Sequence, residues 1–177
     1  MGGFAFRILG ALALDPSAYE YVESRPASAA GALLVVIASS VAAGIGAAGL
    51  AGPTFTNLVL IACLALATWL AWAGLILYVG GIILPERQTR VDYGQLIRTI
   101  GFAAAPGGFQ IFALFTSIAV PVFVLSWIWM LAAIVVAVRQ ALDFQSTWRA
   151  LGVCVLTLCL VLTTTVAIAL AFQSRVS

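Results

Sequence analysis

The sequence predicts an all-α fold: a polytopic integral membrane bundle of five transmembrane helices, preceded by short interfacial helices in residues 1–26. Three observations carry this expectation. The 177-residue chain is 64% hydrophobic and only 8% charged, with a mean hydropathy of +1.17, whereas soluble domains carry about 25% charged residues. Its apolar residues gather into runs close to the roughly 20 residues that a membrane-crossing helix requires. Its arginines fall almost entirely in alternate hydrophilic segments. These features imply one membrane domain over 1–177, with no room for a soluble one.

The first run, MGGFAFRILGALAL, is interrupted by Arg7 and is too short for a cleaved leader. Gly2 lacks the Ser or Thr at position 6 that myristoylation requires, because Phe6 stands there. A helix lying in the membrane surface fits instead, with Phe4, Ile8, Leu9 and Leu12 in lipid and Arg7 snorkelling. Asp15-Pro16 reads as an N-cap and first helical residue, opening a short helix that ends before Pro26.

The spans follow at about 29–50, 57–84, 96–116, 122–138 and 150–172. In the first, Ala38, Ala42 and Gly46 recur every four residues and predict a smooth packing seam, within the chain or between two copies. Gly80-Gly81 predicts a bend near the end of the second. The segment from Pro85 to Phe109 carries Glu86, Arg87, Arg90, Asp92 and Arg98, then breaks at Pro106-Gly107-Gly108. The third span is therefore short and irregular. Ser117 to Pro121 reads as an uncharged turn, and Arg139 and Asp143 as an i,i+4 pair after the fourth span.

Charge then sets topology. Arg7, Arg25, Arg87, Arg90, Arg98, Arg139 and Arg149 fall on one side in a five-span arrangement, with all six acids, and only Arg175 on the other. The positive-inside rule makes the arginine-rich side cytoplasmic, so the N-terminus is inside and the C-terminus outside.

The chemistry available is narrow. There is no His and no Lys, which removes the commonest metal ligand and neutral-pH base. Cys63, Cys154 and Cys159 show no metal or dithiol spacing, and Cys154 and Cys159 fall on different helix faces. They read as buried, inert thiols. No enzyme, metal, cofactor or nucleic-acid partner is expected. Arg98, Arg139, Asp143, Arg149 and Asp92 are the candidate site at the cytoplasmic mouth. They read either as a contact for anionic headgroups or a partner, or as helix-end anchors. The Pro106-Gly107-Gly108 break reads as a substrate-binding discontinuity or as a structural kink. Trp69, Trp72, Trp127 and Trp129 near the span centres either fill the core or line an apolar cavity with Phe109, Phe112 and Phe115. Trp148 is placed as an interfacial anchor.

Three stretches resemble the Yip membrane-domain family, in its compact bacterial branch: ALDPSAYEYVESRPASA, YGQLIRTIGFAAAP, and the end of the fourth span, WIWMLAAIVVAVRQALDFQSTWRAL. The resemblance extends over nearly the whole chain. It implies a five-span helical protein of a bacterial inner membrane; for eukaryotic members it implies roles in vesicle trafficking and membrane shaping, and for the bacterial branch it supplies a fold and no settled activity. The first reading of the function is a non-enzymatic membrane-organising scaffold or an accessory subunit of a larger membrane complex. Its partners would be lipids, other membrane subunits or a second copy. Binding of Rab-type GTPases is not expected, because the acidic arm of the eukaryotic members does not precede Asp15-Pro16. The alternative from another class is a carrier or flippase for a lipid or small solute, which would need a polar path to the midplane.

Overall fold

A computed structural model describes residues 3–51, 55–86, 89 and 92–176. The described residues are helical and contain no strand. In chain order they form α1 (Phe4–Leu12), α2 (Pro16–Glu23), a 3-10 turn (Pro26–Ser28), α3 (Ala29–Ala51) and α4 (Phe55–Tyr78). A π turn (Val79–Ile83), α5 (Tyr93–Ala103), a long 3-10 segment (Ala105–Leu114), a short one (Thr116–Ile118), α6 (Ala119–Ala141) and α7 (Thr147–Val176) complete the chain. Among the described residues, four stretches are long and apolar enough to cross a membrane: Pro26–Ala47, Leu66–Ile83, Thr116–Ala141 and Thr147–Thr164. This is an integral membrane protein, and its outward faces carry Leu34, Leu60, Leu64, Val120, Leu125, Ile128 and Leu162 exposed.

Local chemistry accounts for the helix ends. Asp15 caps α2, its Oδ1 accepting the Ser17 N–H at 2.9 Å, and Pro16 supplies the first helical residue. α1 and α6 both end in Schellman turns. The Asp15 N–H donates to Gly10 O and Leu14 N–H to Ala11 O, while Phe144 N–H donates to Arg139 O and Asp143 N–H to Gln140 O. Leu14 and Asp143 accordingly take positive φ, 58° and 53°. Asp tolerates that conformation, and Leu adopts it at a cost. At Gly80-Gly81 the expected irregularity is a π turn, closed by Leu84 N–H on Val79 O. A Cβ on Gly80 would strike Leu142, so glycine there lets the α6–α7 turn pack against α4.

The core has two parts that meet on α5. Ala73, Ile76, Leu96, Ile100, Val138 and Val153 join α4, α5, α6 and α7. Ala11, Tyr19, Val22, Ala32, Phe102 and Ala133 join α1, α2, α3, α5 and α6. Apart from Ile97, α5 is buried from Leu96 through Ala103. Beyond it Pro106, which has no N–H to donate, ends the α-helix, and the chain continues as ten residues of 3-10 helix. Ser39 Oγ donates to Ala104 O at 2.7 Å across this change of winding.

The N-terminal helices are not laid flat on the bundle. Trp129 Nε1 donates to Leu12 O at 2.9 Å, at the end of α1. Trp129 lies about 18 Å along α6 from Ala141, at about 1.5 Å per residue. α1 thus runs from Gly31, beside Phe4, to the middle of α6. Phe4, Phe6 and Leu9 remain exposed, while Ile8 packs against the core. Arg7 does not snorkel outward. Its Nη1 donates to Ser28 Oγ at 3.3 Å, and its guanidinium lies 5.9 Å from both the Phe4 and Phe102 rings.

Three further expectations are corrected. Pro121 lies inside the first turn of α6, where the missing N–H has no helical acceptor, so the helix starts at Ala119. Of the thiols only Cys154 is buried; Cys63 and Cys159 face outward. In the seam, Ala42 and Gly46 are buried but Ala38 is exposed. A four-residue step overshoots one helical turn by about 40°, so Ala38, Ala42 and Gly46 drift around α3. The buried face runs instead through Ala32, Val35, Ser39, Ala42 and Gly46. This face receives the 3-10 segment: a Cβ on Gly46 would collide with Gln110 O and lie 3.1 Å from the Ala113 Cβ. Gly46→Ala is expected to lower thermal stability in detergent by about 1–3 kcal/mol, the usual cost of overpacking. Gly108→Ala, which meets nothing within 4 Å, should leave the melting temperature unchanged or slightly raised.

Candidate functional site

The polar residues converge on a cavity of about 450 Å³ at the end of the bundle that bears α2. α2 contributes Glu20, Glu23 and Ser24, and α5 contributes Gln95. Arg139 and Gln140 from the last turn of α6, with Asp143 and Phe144 from the turn beyond, close the other wall. Asp143 owes its place to the Schellman turn, whose left-handed residue redirects the chain after Ala141. Because the helix has ended there, Arg139 and Asp143 are not an i,i+4 helical pair; Arg139 Nε donates to Phe144 O at 3.4 Å.

Arg98 sits behind this cavity rather than reaching for headgroups. It is 8% exposed, and its Nη2 donates to Glu23 O at 2.6 Å, capping the last turn of α2. The side chain is turned inward because the α2 carbonyl end supplies an acceptor and negative potential within reach. Asp92 is the N-cap of α5 in a capping box with Gln95, whose Oε1 accepts the Asp92 N–H at 3.1 Å. A Cβ on Gly94 would lie 3.0 Å from Asp92 Oδ2 and 3.1 Å from Arg98 Nη1, so glycine there lets both side chains lean across the helix start.

Arg149 belongs elsewhere. Its Nε lies 3.6 Å from Glu86 Oε1 and its Nη1 donates to Pro85 O at 3.4 Å, tying α7 to the end of α4. The structure thus brings Arg139 and Asp143 together, places Arg98 and Asp92 at their back, and separates Arg149. Arg87 and Arg90 lie outside the described residues.

Glu20 and Glu23 were missed as site residues. They stand three apart on one face of α2, a signal that reads equally well as a solvated face. Burial, reinforced by Asp143 and Glu20 and opposed by Arg98, pushes the Glu23 carboxyl up to about 7. Burial likewise raises the Tyr19 phenol, whose hydroxyl donates to Ala11 O at 3.3 Å.

The other expected features lie outside this cavity. Pro106 and Gly107 are buried. A Cβ on Gly107 would lie 3.1 Å from both Ser39 Cβ and Met130 Sδ, so the break is packed between α3 and α6. The four central tryptophans do not form one cluster. Trp69 and Trp72 pack against the core, whereas Trp127 is 57% exposed and Trp129 stacks on Phe109 at 5.3 Å. Phe112 and Phe115 are exposed alongside. Trp148 is exposed at the start of α7, as an interfacial anchor requires.

Arg98 and Arg149 should respond differently to the same change. Arg98→Gln removes a buried charged donor and is expected to cost about 1.5–3 kcal/mol. Arg149→Gln removes a pair whose arginine is half-exposed and should cost about 0–1 kcal/mol. Thermal denaturation of the two variants in one detergent checks the order. Among known proteins, the chain matches no family model, no curated protein and no solved structure.

Proposed function

We propose that this chain is a non-enzymatic, five-span scaffold of the Yip type, which organises membrane around a helix pair wedged into one leaflet. The observation that carries the reading is the placement of α1 and α2. Tyr19, Val22 and Ala11 are buried with Ala133 and Ala137 of α6, while Phe4, Phe6 and Leu9 face outward from the same pair. A helix pair that reaches to the middle of α6 adds cross-section to one leaflet only. Amphipathic helices seated in this way respond to curvature and lipid packing.

The fifth span in this reading is α5 with its 3-10 continuation. Eleven α-helical residues at about 1.5 Å and ten 3-10 residues at about 2.0 Å give about 36 Å, against a hydrocarbon thickness of about 30 Å. The stretched winding compensates for the shortness of the apolar run. With five spans, seven of eight arginines share the cytoplasmic side, and α1 and α2 occupy the inner leaflet. A carrier would need a polar path to the midplane. The core where α1, α2, α3, α5 and α6 meet is instead apolar, with Ala32, Val35, Phe102, Ala103 and Ala133 buried there.

Topology is checked by single cysteines in a Cys-free background. An impermeant thiol reagent should label Ser117→Cys from outside intact cells, but neither Thr89→Cys nor Ser146→Cys; labelling of Thr89→Cys and Ser117→Cys from the same side would remove the fifth span. The scaffold function is checked by reconstitution into vesicles of mixed diameter. The chain should concentrate on the smaller vesicles when its N-terminus faces the medium, and Phe6→Ser with Leu9→Ser should abolish that preference. Equal density of both forms on all diameters would rule out the wedge.

A further inference from the structure

We propose that the polar cavity binds a zwitterion carrying an ammonium and a phosphate on one short linker, the headgroup chemistry of an ethanolamine phospholipid. This deepens the scaffold reading by naming a lipid class, and the placement of the cavity among inner-leaflet headgroups rests on that five-span reading. The space measures about 450 Å³, within the roughly 300–1,000 Å³ of small-molecule sites. Its two walls offer opposite chemistry. α2 supplies the carboxyl groups of Glu20 and Glu23, while α5 and α6 supply the Gln95 amide and the Arg139 guanidinium.

Each wall has hydrogen-bonding capacity to spare. Among the described residues, the side chains of Glu20 and Glu23 accept no hydrogen bond. Arg139 donates its Nε to Phe144 O at 3.4 Å, which orients the guanidinium and leaves its two terminal nitrogens to donate. Gln95 uses Oε1 on the Asp92 N–H and keeps Nε2; Gln140 uses Nε2 on Pro16 O and keeps Oε1. Asp143 lines the same space but has a partner already, so it is assigned no contact. A phosphate takes the fork of Arg139 with the Gln95 amide, and an ammonium takes the α2 carboxylates across the cavity.

The lining also selects among cations. Among the described residues no three carboxylate or thiol groups are placed to hold one metal ion, so the acceptors suit a larger organic group. A choline headgroup calls for aromatic rings around its methyl groups. The aromatic residue in this lining is Phe144, itself only 3% exposed. A primary ammonium, with three N–H donors, matches carboxylates and an amide oxygen instead. Bound in this way, the ligand ties α2 to the end of α6, beside the long Gln140–Pro16 hydrogen bond of 3.5 Å.

The test offers the full-length chain, purified in a mild detergent, equimolar phosphatidylethanolamine, phosphatidylcholine and phosphatidylglycerol of identical acyl chains. Native mass spectrometry counts the bound lipids. Phosphatidylethanolamine should be retained about tenfold over the other two, the factor that one charge-assisted hydrogen bond supplies. With the unaltered chain, its N-methyl and N,N-dimethyl forms should fall stepwise between, because each methyl removes one N–H donor. Glu20→Gln with Glu23→Gln should erase the preference. Arg139→Gln should lower the ethanolamine and choline lipids together and keep their ratio. An excess of free O-phosphoethanolamine that leaves the lipid bound assigns the site to a lipid headgroup; displacement assigns it to a soluble zwitterion of the same chemistry. Micelles do not sort by vesicle diameter, so this outcome and that of the wedge test are read separately. Equal retention of the three lipids by the unaltered chain, or a preference that survives Glu20→Gln with Glu23→Gln, would overturn the zwitterion site.

Discussion

A backbone that departs from α-helical winding inside a membrane must be enclosed by protein, because lipid offers no partner for a stray N–H or C=O. In the proposed five-span reading the 3-10 segment meets this constraint on the face turned to α3 and α6, where Pro106, Gly107, Gln110 and Ala113 are buried. The chain leaves the α-helix at Ala104 and runs as 3-10 helix to Leu114. Such a long 3-10 stretch is uncommon. It is held because α3 and α6 approach closely on either side, through Gly46 and Gly107, and because Ser39 bonds the Ala104 carbonyl. α3 must therefore present small residues, and its sequence is accordingly rich in Ala and Gly. Fixing the 3-10 segment also fixes α5, whose two sides complete the two parts of the core.

Charge obeys the same requirement for enclosure. The arginines nearest the apolar boundary, Arg7 and Arg98, turn inward to Ser28 and to the end of α2 rather than outward to headgroups. Each links the N-terminal pair to the rest: Arg7 joins α1 to the start of α3, and Arg98 joins α2 to α5. A buried guanidinium is tolerable where carbonyl ends and aromatic faces receive it. The N-terminal helices are in this way part of the folded bundle, with Tyr19 and Val22 among its most buried residues.

Much of the architecture was legible from hydropathy alone. The apolar runs coincide with α3, with α4 and its π turn, with α6 and with α7, to within a few residues at each end. The Asp15-Pro16 start, the irregularity at Gly80-Gly81 and the break at Pro106 were readable because proline, glycine and Asx chemistry act locally. What was not legible depends on rotation and on tertiary approach. Ala38 leaves the seam because a four-residue period drifts around an α-helix. Hydropathy places Arg98 near a boundary but cannot say which way a long side chain turns. Asp143 looked like a helical partner of Arg139 until a left-handed residue ended the helix first. Glu20 and Glu23 become a site only when α2 is set against the end of α6, more than a hundred residues later in the chain.

The position of α5 joins these parts into one mechanical argument. Leu96 and Ile100 pack toward α4 and α7, Phe102 and Ala103 toward α1 and α3, and Arg98 holds α2 from the same helix. The 3-10 segment that extends α5 is clamped between α3 and α6, so α5 itself has little freedom to move. Any change at the cavity must then be taken up by the lighter partner. α2 is eight residues long and is joined to α1 by a three-residue bend, Ala13-Leu14-Asp15, that already contains a strained positive φ. A rigid α5 beside a short, strained hairpin makes the N-terminal pair the part of the bundle able to respond to its surroundings. It also places that response on the surface where Phe4, Phe6 and Leu9 are exposed.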